Sequence, residues 1–124
     1  MSAKTILYIE DNEFNRKIVR QLLAQTKYRL LEAVDAESGL KAAQDELPNL
    51  ILMDVQLPKM SGLDATRQLR ADPRTAAVPI VVITSYALSG DAEKAKAAGA
   101  TAYLAKPFSP RDLLAKIREI LPEG

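Results

Sequence analysis

The 124-residue chain has no cysteine and no histidine. Without cysteine there are no disulfides, no thiolate metal centres and no thiol nucleophile. Without histidine the chain has no imidazole base, no imidazole metal ligand and no phosphohistidine of its own. Charge is nearly balanced, with 17 Lys and Arg against 16 Asp and Glu and a net charge of +1. No strong field draws nucleic acid or an anionic lipid surface. Nothing approaches a run of ~18 apolar residues, so no membrane-spanning helix is expected. Met1–Lys4 leads straight into a short apolar run that is unsuited to a signal peptide. A cytoplasmic protein of one domain, residues 1–124, is expected. No output domain is expected after Leu121, and Pro122–Gly124 reads as a loose tail.

What is present is ordinary globular composition, 48% hydrophobic and 27% charged, enough to build a core. Strand-like and helix-like segments alternate. Strands are predicted at Thr5–Glu10, Arg29–Ala33, Leu50–Asp54, Pro79–Thr84 and Ala102–Ala105. The first, third and fourth are near-continuous apolar runs, the pattern of parallel strands covered on both faces. Between them lie helical stripes. Phe14, Ile18, Val19, Leu22 and Leu23 form one, and Leu113, Leu114, Ile117, Ile120 and Leu121 form another. Ser61-x-x-Asp64 reads as a capping box, Ser109-Pro110 as an N-cap followed by proline in the first turn, and Gly99 as a helix stop. The order is βα five times, a doubly wound α/β fold with a parallel sheet in the order 2-1-3-4-5.

In that order the topological switch point lies between strands 1 and 3. Strand 1 ends in Glu10-Asp11 and strand 3 in Asp54. Carboxylate clustering and the switch-point rule thus select one place. Three carboxylates left together would repel and stay partly protonated. A hard divalent cation such as Mg²⁺ relieves that conflict and brings phosphate oxygens with it. Thr84, at the end of strand 4, can offer a hydroxyl. Lys106, after strand 5, can offer a point charge. Lys106-Pro107 is a candidate cis peptide aiming the lysine inward.

Taken together, Ile9-Glu10-Asp11-Asn12, Ile51–Gly62, Val82-Ile83-Thr84-Ser85 and Lys106-Pro107-Phe108 resemble response-regulator receiver domains, from about Thr5 to Leu121. The stretches Glu10–Asn15 and Met53–Pro58 are similar to single-domain cell-cycle regulators of that family. The resemblance implies a flavodoxin-like fold and a bacterial two-component phosphorelay. It implies that Asp54 is the phosphoacceptor. Glu10, Asp11, Asp54 and the backbone carbonyl of Gln56 would hold Mg²⁺. Lys106 would bind the phosphate, Thr84 would be the switch hydroxyl and Tyr103 the switch aromatic. It further implies that Gln56 and Tyr86 occupy the positions that tune phosphoaspartate lifetime. The expected partners are a sensor histidine kinase or a histidine phosphotransfer protein, plus a downstream protein target. Direct nucleic-acid or membrane contact is not expected, and the chain is expected to be a monomer that turns over no external substrate.

Other chemistries fit less well. An FMN module would need a Ser/Thr/Gly-rich loop after strand 1 rather than Asp-Asn-Glu-Phe-Asn. A phosphohydrolase of the haloacid dehalogenase kind would need a second acid after Asp54, where Val55-Gln56 stands. A phosphorylation-independent pseudo-receiver is the serious alternative, although no acid or lysine is missing. Helix 4, from about Ser89 to Ala98, is built on alanines and so lightly anchored. The face of helix 4, strand 5 and helix 5 is the expected switch surface. Arg16, Lys17 and Arg20 read as a solvated helix face.

Overall fold

The computed structural model describes residues 3–85 and 90–123. Tyr86 and the helix start expected near Ser89 lie outside that range. Ten elements alternate strictly: β1 Thr5–Ile9, α1 Glu13–Leu23, β2 Arg29–Ala33, α2 Ala36–Glu46, β3 Leu50–Asp54, α3 Gly62–Ala71, β4 Ile80–Thr84, α4 Asp91–Ala98, β5 Ala102–Ala105 and α5 Pro110–Ile120. The strands form one sheet in the order β2-β1-β3-β4-β5, and every pairing is parallel. Parallel strands need crossover helices, which cover both faces. That is why every residue of β1, β3 and β4 is buried, whereas the edge strands β2 and β5 are partly open.

Side-chain alternation along the strands builds two cores. On one face Ile9, Ile51, Met53 and Val82 pack under α2, α3 and α4 through Ala43, Ala65, Leu69 and Ala95. On the other, Tyr8, Leu52 and Ile83 pack under α1 and α5 through Val19, Leu23, Leu113 and Ile117. The helices start where side chains supply the missing acceptors. Asn12 caps α1, Asp35 caps α2, Ser61 caps α3 and Ser109 caps α5. Gly99 closes α4 in the left-handed region at φ 104°.

Four details differ from expectation. Phe14 is 69% exposed, because a helix facing the core through Val19 and Leu23 carries position 14 about 140° away from Val19. Arg16, seven residues before Leu23, takes the inward position instead and is buried. Ser61 accepts from the Leu63 amide at 3.0 Å, but Asp64 is engaged by Arg67 at 2.6 Å. The full reciprocal box belongs to Asp35 and Ser38 on α2. The tail is tied down through Glu123: Lys4 donates to the Pro122 carbonyl at 2.5 Å, and Lys27 N and Arg118 Nε reach the Glu123 carboxylate at 3.1 and 2.8 Å.

Candidate functional site

β1 and β3 are neighbours in register, Ile9 opposite Met53, so Glu10 and Asp54 emerge side by side. Glu10 is pinned by its backbone. Its amide donates to the Ala33 carbonyl at 3.0 Å, and its own carbonyl accepts from Arg16 Nη1 at 2.8 Å. Asp11 follows, exposed, in the turn into α1. Asn12, rather than Asp11, caps that helix, accepting from the Asn15 amide at 2.9 Å. Glu10, Asp11 and Asp54 each place a carboxylate oxygen within 4.8 Å of the others. Glu10 and Asp54 are only 1% and 2% exposed.

Lys106 meets them from β5. Its amide donates to the Thr84 carbonyl at 2.7 Å, its bond to Pro107 is cis, and its ammonium lies 3.1 Å from Glu10 Oε1 and 3.3 Å from Asp54 Oδ2. Asp54 Oδ1 accepts from the Gln56 amide at 3.2 Å, so its two oxygens already have different partners. Beside Lys106 a cleft of about 550 Å³ opens between Asn15, Ile18, Ser85, Pro107 and Phe108.

The electrostatics follow from this crowding. Burial, and then the facing carboxylate of Asp54, raise the pKa of Glu10; Asn15 and Lys106 pull it down without cancelling the rise. Burial works to lower the Lys106 pKa, but Asp54 and Glu10 outweigh it and the ammonium is held charged. Burial and the Glu10 charge raise the Tyr8 pKa, so its hydroxyl stays a donor. Among the described residues Glu10 Oε2 is the one buried side-chain polar atom with no hydrogen-bond partner. Buried polar atoms are almost always satisfied. An orphaned carboxylate oxygen among three hard oxygen donors fits a hard divalent cation of the Mg²⁺ kind.

The other expected residues fall around this cluster. Gln56 is exposed, two residues past Asp54. Thr84 is fully buried at the end of β4, and strand alternation puts it on the face of Val82. Tyr103, opposite Val82 in register, is half-buried and lines a separate cleft with Ala92, Ala95 and Lys96 of α4. Glu10, Asp11, Asp54 and Lys106 therefore converge, while Tyr103 belongs to the α4 side. Arg16 is no solvated cation. It bonds Glu10 O, pairs with Glu13 and lies 3.4 Å from Glu32, and Arg20 clasps Glu32 through two bonds of 2.7 Å. Two site neighbours, Tyr8 and Asn15, were not singled out in the sequence, and Arg16 was read there only as a solvated cation. Tyr8 was legible by strand periodicity, two residues before Glu10.

The fold, the acidic pair after β1, the aspartate ending β3 and the lysine after β5 define a receiver. The chain belongs to the response regulator receiver domain family, whose model matches residues 6–118. It is 35% identical over 121 residues to the polar-differentiation response regulator DivK of Brucella anthropi, covering 98% of each chain. It is 37% identical over 125 residues to DivK of Brucella ovis, covering 98% of this chain and 99% of that one. Among solved structures, the receiver domain of a sensor histidine kinase from Pseudomonas aeruginosa is 34% identical, with a TM-score of 0.88 over 96% of this chain and 98% of that one. It has a magnesium ion coordinated in its active-site cleft. The chemotaxis response regulator CheY4 of Vibrio cholerae superposes with a TM-score of 0.91 at 28% identity, over 97% of this chain and all of that one.

Proposed function

We propose that this receiver works in a phosphorelay by accepting a phosphoryl group on Asp54 and presenting a changed protein-binding face in response. The observation that carries the reading is the placement of Asp54: 2% exposed, ending β3, with Lys106 at 3.3 Å and the Glu10 and Asp11 oxygens within 4.8 Å. The donor is a phosphohistidine on a sensor histidine kinase or a phosphotransfer protein, since this chain has no histidine. An oxygen of the Asp54 carboxylate attacks phosphorus, the phosphorus–nitrogen bond to the imidazole breaks, and an acyl phosphate forms. Positioning and charge neutralisation supply most of the catalysis in such a transfer. Glu10, Asp11, Asp54 and the Gln56 backbone carbonyl would hold Mg²⁺, which when bound would supply positive charge beside the phosphoryl oxygens. Lys106 moves its charge from the carboxylates to a phosphoryl oxygen. The Thr84 hydroxyl donates to another.

The output is a switch rather than turnover of an external substrate. Thr84 and Tyr103 share one face of the sheet with α4. Drawing Thr84 toward the phosphoryl group frees space for Tyr103 to turn inward, which changes the face of α4, β5 and α5 read by a protein target. The chain acts as a cytoplasmic monomer without direct contact to nucleic acid.

Intact-mass measurement after incubation with acetyl phosphate and Mg²⁺ tests the chemistry. One phosphoryl group is expected on the parent, none with EDTA and none on Asp54→Asn. Undiminished labelling of Asp54→Asn would overturn the assignment. A parent that takes no label yet binds its partner would favour a phosphorylation-independent interaction module.

A further inference from the structure

Glu10 is held very unevenly. Its Oε1 accepts from the Asn15 side-chain amide at 2.8 Å, the Lys106 ammonium at 3.1 Å and, at a longer 3.4 Å, the Tyr8 hydroxyl. Its Oε2 is buried and has no partner among the described residues. Lys106 is shared with Asp54, whereas Tyr8 and Asn15 direct their side-chain donors to this one oxygen of Glu10. Both are placed by regular structure. Tyr8 lies two residues before Glu10 on β1, on the same face of the sheet. Asn15 stands in the first turn of α1, its own amide fixed by the Asn12 cap. Tyr8 is fully buried in the core under α1 and α5, and a hydroxyl there is costly unless it has a partner.

We propose that Tyr8 and Asn15 are positioning residues that pin Glu10 through Oε1, reserve Oε2 for the metal, and so make the site selective for Mg²⁺ over Ca²⁺. The inference rests on the reading of Glu10, Asp11 and Asp54 as a magnesium site. Mg²⁺ requires near-ideal octahedral geometry with short bonds, while Ca²⁺ accepts more ligands, longer bonds and bidentate carboxylates. A carboxylate with one oxygen engaged by donors offers a single oxygen in a fixed direction. It suits the small ion and denies the large one its second oxygen. Removing two of the three donors on Oε1 leaves only the Lys106 ammonium, which is shared with Asp54, so the carboxylate gains freedom to rotate and chelate. Partners of metal-binding side chains tune affinity in this way, by about 10–100-fold on removal.

Calorimetric titration of the unphosphorylated protein with MgCl₂ and with CaCl₂ tests this on the parent, Tyr8→Phe, Asn15→Ala and the double variant. Phe14→Ala, an exposed change on the same helix turn, is the control. The double variant is expected to bind Mg²⁺ about tenfold more weakly and Ca²⁺ no more weakly than the parent, so that the ratio of the two affinities falls. A merely structural role would weaken both ions together or leave both alone, and either result overturns the inference. So does a control that shifts the ratio equally. If the parent binds neither ion, the magnesium site itself fails and the inference fails with it. If the parent binds Mg²⁺ and the ratio stays fixed, the pinning alone is wrong.

Discussion

Gly62 carries no side chain because there is no space for one. A Cβ built there would lie 2.0 Å from the Asp54 carbonyl oxygen and 2.9 Å from Val55 Cα. The α3 N-terminus therefore presses directly on the backbone that carries the candidate phosphoacceptor, and the Gly62 amide seals the contact by donating to the Val55 carbonyl at 2.9 Å. Gly39 is also close-packed, since its Cβ would lie 2.4 Å from Cδ1 and 2.7 Å from Cγ1 of the fully buried Ile9 side chain. Gly62→Ala should force α3 and β3 apart, lowering stability by about 2–3 kcal/mol and shifting Asp54. Thermal or urea unfolding together with the acetyl phosphate rate checks it: both should fall, the rate even well below the unfolding midpoint. A variant with parent stability and rate would mean the backbone yields freely at this point.

Among the helices, α4 stands alone in its anchoring. The other four begin with a side-chain cap, worth roughly 1 kcal/mol each. α4 begins at Gly90 with no side-chain cap bond, and its buried apolar side chains are Ala95 and Ala98. Its other end is firmly held. Arg70 of α3 donates to the Gly99 carbonyl at 2.8 Å, to the Val78 carbonyl at 2.5 Å and to the Thr101 hydroxyl at 3.2 Å. In the proposed switch, one charge-assisted bond from Thr84 would supply roughly 1.5–3 kcal/mol, short of the ~5.5 kcal/mol that reverses a 1:99 population. A lightly held helix end lowers what is needed. Native-state hydrogen exchange should show α4 as the least protected helix, with protection rising toward Gly99, and Arg70→Met should remove that gradient. Uniform protection along α4 would contradict this. The lightness of α4 was legible in its alanines, as were the strands, from their apolar runs. The Arg70 clamp was not legible, because it joins residues 29 and 31 positions apart. The inward turn of Arg16 was missed because charge outweighed helical phase in reading α1. Phe14 misled for the converse reason.

At the scale of the molecule, acid stability rests on carboxylates scattered over the surface. Glu13, Asp35, Asp72 and Glu123 are all held below their ordinary range: Glu13 first by Arg20, Asp35 by Ser38, Asp72 by Arg74, and Glu123 by the Lys27 amide. A carboxylate with a depressed folded pKa favours the native state above its unfolded pKa, and that contribution is lost as pH falls through the folded value. The thermal midpoint should therefore decline from about pH 5 downward. Asp35→Asn isolates one contribution, since asparagine caps a helix as well as aspartate does and does not titrate. Its midpoint should fall less steeply with acid than the parent's, as calorimetry at a series of pH values would record; an identical slope would refute the assignment. The same surface holds a topological consequence. Lys4 bonds Pro122 and Lys27 bonds Glu123, so the two ends of the described chain meet beside the α1–β2 turn. A short bridging peptide could close the polypeptide into a ring, and a cut between the exposed residues Ala24 and Gln25 would reopen it. In such a permutant the strand that ends at Asp54 would precede the one that leads into Glu10, and the three carboxylates would still meet.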